Sequence, residues 1–259
     1  MSLYSEEQLT EESAMQLLGN LGWHTFNAYH GESFGRECFL GRESEREVVL
    51  HKWLLNSLIK LNPGLPLTAY DQALEQLIIY DASKSLEQNN HSKYLLIKNG
   101  VPVDYRNDNG EIVREKRLFA IDFEQVDNNE YLAIQQLWIQ GELYRRRSDV
   151  ILYINGLPIV FMEFKAHNVD IQAAFENNLK DYKQTVPLTF LHNSFVILSN
   201  GLQSKIGTLT SQYEHFTEWK RINEEETGRI SLETIIKGTC SKSHLLDLVE
   251  NFTLFDTTE

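Results

Sequence analysis

The sequence predicts a mixed α/β fold, with one central mixed sheet flanked by helices. Helical patterns come first, short strand-like runs follow from about Lys93, and a further amphipathic helix separates two later strands. No internal repeat, low-complexity tract or linker rich in Pro, Gly and Ser divides the 259 residues. We therefore expect a single domain that spans residues 1–259.

The composition is that of an ordinary globular protein, with 42% hydrophobic residues. No apolar run approaches the roughly 20 residues that span a bilayer, and the N-terminus MSLYSEEQLTEE is acidic where a signal peptide would be basic. We therefore expect a cytoplasmic protein without membrane contact. Cys38 and Cys240 lie far apart and outside any CxxC motif, so we expect reduced, packed thiols.

The first element is an amphipathic helix in LTEESAMQLLGNLGWHTF. Thr10 is the candidate N-cap, acidic residues fill the first turn, and Gly22 is the candidate stop. Leu17, Leu18 and Leu21 recur at helical spacing and should form the buried stripe.

Two further helices should form a helical hairpin. The first fits REVVLHKWLLNSLIKL and ends at Asn62-Pro63-Gly64, and the second fits TAYDQALEQLIIYDASKSL. The segment NPGLP joins them.

Strands are expected in YLLIKNGVPVDY, in RLFAIDF after a DNGE turn, and in YLAIQQLWIQGE. An amphipathic helix near Asp170 to Gln184 and a strand in SFVILSNG follow, before mixed helix and loop to the end.

The segment RRSDVILYINGLPIVFMEFK carries charges at the ends of two apolar strands around an Asn-Gly turn. Asp149 begins one strand, and Glu163 and Lys165 end the other on a shared face. An exposed edge strand is one explanation. The alternative is a metal site, because neighbouring carboxylates repel each other unless a cation with oxygen ligands lies between them.

Strand register tests the metal-site hypothesis. A two-residue loop pairs Ile154 with Leu157 and would leave Asp149 and Glu163 on opposite faces of the sheet. The metal site therefore requires an odd loop or a β-bulge. Pro158 favours such an irregularity, because it has no amide hydrogen to donate to the ladder.

This pattern of Asp, hairpin and Glu-x-Lys resembles the PD-(D/E)xK nuclease superfamily. The longer string resembles the N-terminal endonuclease region of the restriction subunit of type I restriction-modification enzymes. The resemblance extends through FENNLKDYKQTVP, ILSNG and FTEWK, and back through LNPGLP to the first helix. It implies a nuclease-like core with an N-terminal helical elaboration. Ser148 stands where the family usually has Pro.

The resemblance implies that Asp149, Glu163 and the main-chain carbonyl of Phe164 bind Mg²⁺. Lys165 would orient the attacking water or stabilise the charge that develops on the phosphate. An oxygen-rich site suits a hard cation, and an ammonium group supports an anionic transition state.

Three further residues match motifs of the superfamily. Glu11 corresponds to an acidic residue often added to the site, although Glu12 competes for that assignment and ordinary N-terminal helix charge is the alternative. The family's Q-x-x-x-Y motif reads Asn178 to Tyr182 here, with a shorter amide. Residues four apart share a helical face, so Asn178 and Tyr182 should lie together. A buried tyrosine with a bonded hydroxyl is the alternative role for Tyr182.

The formal net charge of −13 excludes binding of nucleic acid through overall charge. Contact with DNA would need a partner that delivers the DNA or a local basic patch, for which Arg145, Arg146, Arg147 and Lys183 are candidates. A solvated basic face is the alternative. His167 and His192 are expected to be ordinary surface or loop residues.

The resemblance implies the endonuclease domain of a type I site-specific deoxyribonuclease, dependent on Mg²⁺. Its implied partners are DNA, the methyltransferase and specificity subunits, and motor domains of the same polypeptide. No GxxxxGK[ST] motif occurs, so ATP would serve only motor domains outside this chain, which we expect to be a fragment. The alternative is a catalytically silent module that docks the motor onto the modification complex.

Overall fold

A mixed sheet of six strands forms the centre of the structure, in the order β1-β4-β7-β8-β9-β10. The computed structural model describes residues 3–107, 109–222 and 231–255, with side chains from residue 8 onward. The strands of this sheet are β1 (His24–Asn27), β4 (Tyr131–Gln135), β7 (Val150–Ile154), β8 (Leu157–Phe164), β9 (Phe195–Ser199) and β10 (Ser204–Gly207). Strand pairs β1–β4 and β8–β9 are parallel and the others antiparallel, which confirms the predicted mixed sheet.

Two small antiparallel hairpins accompany the central sheet. They are β2 (Val101–Arg106) with β3 (Ile112–Leu118), and β5 (Trp138–Gln140) with β6 (Arg145–Arg147).

Helices cover both faces of the sheet, and most of them precede the strands they cover. The helices are α1 (Leu3–Asn20), α2 (Ala28–Gly31), α3 (His51–Leu61), α4 (Leu67–Ile78), α5 (Leu86–Asn99), α6 (Lys180–Thr185), α7 (Leu232–Cys240) and α8 (Lys242–Asn251). The amphipathic helix expected near Asp170 to Gln184 is present, but its segment Ala174–Leu179 is π-helical and leads directly into α6.

Two hydrophobic clusters, one on each side of the sheet, explain the uninterrupted apolar runs of β7 and β8. Alternate residues of β7 join different clusters: Leu152 packs with apolar residues of α1, α3, α4 and α7, and Ile151 with those around α6. Every residue of both strands is buried. A strand covered on both faces has no polar side, as the sequence indicates.

The predicted stripe of α1 is confirmed, but its predicted start is wrong. Leu18 is fully buried, and Leu17 and Leu21 pack against the same cluster. The helix already includes the residues before Thr10, which is therefore an internal residue and not the N-cap. No Pro or Gly interrupts the chain there, so the helix continues toward the N-terminus.

The predicted start of α3 is also wrong. The REVVL segment is not helical, and α3 begins at His51. The Leu50 amide instead donates a hydrogen bond to the carbonyl oxygen of Gly156, 2.9 Å away, which holds this segment against the turn of the β7–β8 hairpin.

Helix α5 was not predicted, because its start was assigned to the previous helix and its YLLIK segment to a strand. Helix α4 ends at Ile78, and Ser85 and Gln88 form a capping box that begins α5. The buried side of α5 includes polar side chains, which conceal the helical period: Asn89, Asn90 and Lys93.

The strand predicted in RLFAIDF ends early, at Leu118. Asn62, next to the C-terminus of α3, binds both main-chain groups of Phe119: its side-chain oxygen accepts from the amide and its side-chain nitrogen donates to the carbonyl, each at 2.9 Å. This contact replaces ladder pairing beyond Leu118.

Candidate active site

The β7–β8 hairpin combines a two-residue turn with a β-bulge. Asn155 and Gly156 both have positive φ, +52° and +83°, and the turn pairs Ile154 with Leu157. The register then shifts by one residue, because Tyr153 pairs with Pro158 whereas Leu152 pairs with Val160. The extra residue in β8 follows the proline, where the sequence favours an irregularity.

The bulge determines which side chains face each other at the open end of the hairpin. Beyond it, Val150 pairs with Met162, so Asp149 and Glu163 occupy the next opposing positions, on one face of the sheet. The predicted requirement for an odd loop or a bulge is therefore met. A regular two-residue hairpin would have separated the two carboxylates.

A cleft of about 200 Å³ opens at this end of the sheet. It contains all six side chains that the sequence analysis selected as catalytic candidates, drawn from α1, β7–β8 and the π-helical segment with α6. The cleft is lined by Gln8, Glu11, Gln136, Arg147, Asp149, Glu163, Lys165, Asn178 and Tyr182.

Of Glu11 and Glu12, it is Glu11 that reaches the cleft. Glu11 is 4% exposed, whereas Glu12 is exposed and accepts a hydrogen bond from Gln8. The side-chain amides of Gln135 and Gln136 donate to Glu11 Oε2 at 3.1 and 3.0 Å. They fix the orientation of the carboxylate.

The main chain at the end of β8 joins Asp149, Glu163 and Lys165 into one hydrogen-bonded group. The Phe164 amide donates to Asp149 Oδ2 at 2.7 Å. Lys165 Nζ donates to Glu163 Oε1 at 3.1 Å and to the Phe164 carbonyl oxygen at 2.8 Å. An ammonium group thus already bonds to two of the three oxygen donors that the resemblance implies for Mg²⁺.

The electrostatics of the cleft favour a cation beside Asp149. Burial raises the pKa of Asp149 well above its ordinary value, and the nearby carboxylates of Glu163 and Glu11 raise it further. The Phe164 amide and the Lys165 ammonium act in the opposite direction.

These donors fit a hard divalent ion, since they are carboxylate and main-chain carbonyl oxygens. Within the described residues, no three His, Cys, Asp or Glu side chains are already spaced as a metal-binding set. The third oxygen donor of the set that the resemblance implies is the main-chain carbonyl of Phe164.

Gln136 is a residue of the cleft that the sequence analysis missed. Besides its bond to Glu11, its main-chain amide donates to the Asp149 carbonyl oxygen at 2.8 Å. Its φ is +55°, in the left-handed region that non-glycine residues rarely adopt. The available signal was the pair Gln135-Gln136, which interrupts an apolar strand pattern.

Tyr182 and Asn178 both line the cleft, as expected, and Asn178 belongs to the π-helical segment whereas Tyr182 belongs to α6. The Tyr182 hydroxyl donates to the Arg147 carbonyl oxygen, and its ring lies 5.1 Å from that of Phe161. Burial raises the pKa of Tyr182, with a further contribution from Glu163 and Asp149. Tyr182 is thus a buried tyrosine with a bonded hydroxyl as well as a residue of the cleft wall.

The four candidate basic residues do not form one patch. Arg145 pairs with Glu45, Arg146 pairs with Asp181, and Lys183 donates to the Leu209 carbonyl oxygen at 2.8 Å. Arg147 lines the cleft.

His167 is an exposed loop residue as expected, and His192 also lies in a turn but is buried and not at the surface. His192 is 3% exposed and its Nε2 lies 2.9 Å from the Leu77 carbonyl oxygen. Cys240 is a buried free thiol as expected, and Cys38 is a partly buried one.

A mixed sheet flanked by helices, with Asp149, Glu163 and Lys165 at the open end of a central hairpin, is the architecture of a nuclease-like core. Residues 3–215 match the family described as the N terminus of the type I restriction enzyme R protein. The chain belongs to this family.

Curated relatives carry corresponding names. The chain is 30% identical over 255 residues to the type I restriction enzyme HindI endonuclease subunit of Haemophilus influenzae, covering 95% of this chain and 24% of the relative. It is 26% identical over 281 residues to a putative type I restriction enzyme endonuclease subunit of Methanocaldococcus jannaschii, covering 97% and 26%. A Staphylococcus aureus type I endonuclease subunit is 25% identical over 201 residues, covering 76% and 20%.

The chain thus spans about a quarter of the length of the first two relatives. In the ranges that the structure describes, no helix is both long and apolar enough to cross a membrane.

Proposed function

We propose that this chain is the Mg²⁺-dependent endonuclease domain of a type I restriction enzyme. It hydrolyses phosphodiester bonds of DNA that the motor domains of the same polypeptide deliver, in the cytoplasm, together with methyltransferase and specificity subunits. ATP serves only the motor domains. The observation that carries the proposal is the β-bulge that sets Asp149 opposite Glu163, with Lys165 in the same cleft.

Asp149, Glu163 and the Phe164 carbonyl hold the metal ion in this proposal. The ion, when bound, polarises the phosphoryl group and lowers the pKa of a water molecule. With an ion held there, the N–H groups of Lys165 Nζ would donate to the attacking water or to a phosphate oxygen. Glu11 contributes negative charge at the back of the cleft, and Asn178 and Tyr182 shape its wall.

A docking module without catalytic activity is the competing function. The net charge of −13 favours it, because an acidic surface repels DNA. It does not account for a buried Glu163 bonded to Lys165 in a cleft with two further carboxylates.

The test compares cleavage with translocation in the same reconstituted enzyme. Lys165→Ala should lower cleavage by roughly 100-fold or more and leave assembly and ATP-driven translocation intact, because the ammonium acts on the transition state. Asp149→Ala should do the same and also abolish Mn²⁺ binding, measured by calorimetry. Tyr182→Phe should be milder, since the ring remains.

Lys180→Ala is the matched control, because Lys180 forms an exposed helical pair with Glu176. Unchanged cleavage by Lys165→Ala would contradict the nuclease proposal. Loss of assembly by the same variant would favour the docking function.

A further inference from the structure

We propose that Arg147 binds a phosphate group of the DNA strand that enters the cleft, and that Tyr29, Trp138 and Tyr182 position its guanidinium there. This inference rests on the proposed nuclease function and identifies a substrate contact for it.

Three consecutive arginines form β6, but their side chains have different surroundings. Arg145 and Arg146 are bound by the carboxylates of Glu45 and Asp181. Arg147 forms no ion pair with a carboxylate among the residues whose positions the structure gives. Its charge is therefore the one in β6 that is directed to the cleft and not cancelled by an adjacent acid.

Two aromatic rings lie near the Arg147 guanidinium, and one of them, Trp138, also contacts the Arg145 guanidinium. The Cζ of Arg147 lies 5.3 Å from the ring centroid of Tyr29 and 5.6 Å from that of Trp138. A cation–π contact stabilises the charge without occupying the N–H donors, which lie in the guanidinium plane. Those donors are thus left to bind two oxygens of one phosphate in the bidentate manner typical of arginine.

The main chain of Arg147 is fixed relative to the candidate metal ligands. Arg147 pairs with Trp138 in the β5–β6 hairpin and precedes Asp149 by two residues. Its carbonyl oxygen accepts a hydrogen bond from the Tyr182 hydroxyl. The amide of the following residue, Ser148, donates to the Leu137 carbonyl oxygen at 3.0 Å. Because the main chain of Arg147 is fixed in this way, its side chain would hold a phosphate close to Asp149.

The charge of the cleft also requires Arg147 if a phosphate is to bind. Three carboxylates, from Glu11, Asp149 and Glu163, face the two cations Lys165 and Arg147. With all five ionised, the described side chains of the cleft sum to a formal charge of −1, which a bound divalent ion would reverse to +1. Without Arg147 these described side chains and the ion would sum to zero, so Arg147 favours the binding of an anion in the metal-loaded cleft.

The test measures binding of a short fluorescent DNA duplex to the 259-residue chain by anisotropy, at low salt and with Ca²⁺ as the divalent ion. Arg147→Ala should weaken binding by about tenfold and reduce the slope of log K against log salt by about 0.9. Arg147→Lys should be intermediate, because it keeps the charge and loses the bidentate fork. Lys180→Ala is the matched control and should bind within about twofold of wild type, since Lys180 is paired with Glu176 on an exposed helical face.

The positioning role of Tyr29 is tested by rescue. Tyr29→Ala should weaken binding, whereas Tyr29→Phe should restore it, because the ring and not the hydroxyl contacts the guanidinium. Equal weakening by Arg147→Ala and Lys180→Ala would overturn the inference in favour of a general charge effect. Wild-type affinity in Arg147→Ala, or no binding by the wild-type chain at low salt, would also overturn it.

Failure of the nuclease proposal has a separate signature. It would appear as cleavage that survives Lys165→Ala, or as Mn²⁺ binding that does not depend on Asp149. Mn²⁺ binding measured in Arg147→Ala should stay close to wild type, which separates a phosphate contact from collapse of the metal site.

Discussion

Glu11 is held in the cleft by two glutamine side chains, and one of them has an unfavourable backbone conformation. Gln136 bonds to the Glu11 carboxylate through its side chain and to the Asp149 carbonyl through its amide, at a φ of +55°. A left-handed non-glycine residue costs roughly 1 kcal/mol, and such residues concentrate at functional sites. We interpret Gln136 as a positioning residue that links α1 to the start of β7.

Substitutions of Gln136 should separate backbone strain from positioning. Gln136→Ala and Gln136→Gly both remove the side-chain amide that bonds to Glu11, so both should lower the affinity for Mn²⁺ by about tenfold. Only Gly relieves the left-handed strain, so its free energy of unfolding should exceed that of the Ala variant by about 1 kcal/mol. Calorimetry and urea denaturation measure the two effects. Wild-type Mn²⁺ affinity in both variants would show that Gln136 does not position Glu11.

His192 should make the fold sensitive to acid. Burial lowers the pKa of His192 from 6.5 to about 3. Between these values the unfolded chain binds a proton that the folded chain excludes, so stability is fully present above pH 6.5 and is lost as the pH falls toward 3. The slope approaches about 1.4 kcal/mol per pH unit.

His192→Gln should remove this contribution, whereas the exposed His167→Gln should not. The measurement is the free energy of unfolding in urea at two pH values, one near neutrality and one well below the ordinary histidine pKa. If both variants lose as much stability in acid as wild type, His192 does not cause the sensitivity.

At the scale of elements, the turn of the β7–β8 hairpin packs closely against the start of α3. A Cβ on Gly156 would lie 2.6 Å from the Leu50 carbonyl oxygen and 2.8 Å from the Leu54 nitrogen, whereas a Cβ on Gly64 would meet nothing within 4 Å. The two glycines have nearly the same φ, +83° and +82°. They therefore separate the effect of backbone conformation from that of close packing.

Gly156→Ala should destabilise the protein much more than Gly64→Ala. The Gly64 variant should lose about 1 kcal/mol, the cost of a left-handed alanine. The Gly156 variant should lose roughly 3 kcal/mol or more, because Leu50 and the start of α3 must move. Urea denaturation of both variants measures this. Equal losses of stability would mean that α3 can move away from the hairpin turn at little cost in free energy.

At the scale of the whole molecule, the formal charge of −13 opposes the binding of DNA that the proposed cleft chemistry requires. Repulsion between an acidic protein and DNA acts over the surface, whereas Arg147 and a bound cation act locally. A complex in which other domains hold the DNA would overcome this repulsion.

The isolated chain should therefore bind duplex DNA weakly, and binding should collapse between about 50 and 200 mM salt. Omission of the divalent cation should weaken binding further, because the described side chains of the cleft then sum to a negative charge. Anisotropy titrations at several salt concentrations, with Ca²⁺ or a chelator, provide the measurement. Tight binding that is insensitive to salt would contradict this account.

The sequence by itself determined the mixed α/β class, the strands around the Asn-Gly turn and the chemical types at their ends. These follow from local properties: the period of apolar residues, the turn preference of Asn-Gly, and the rarity of charges on strands buried on both faces. Because side chains alternate along a strand, Asp149 and Glu163 can face each other only if the hairpin is irregular.

The tertiary structure alone decided that a bulge after Pro158 supplies this irregularity, that Glu11 rather than Glu12 enters the cleft, and that Arg147 is the arginine of β6 that lines it. It also decided that His192 is buried and that the YLLIK segment is helical. Each outcome depends on contacts between residues far apart in the chain. Burial, ion pairing and register arise from those contacts, and local sequence patterns do not contain them.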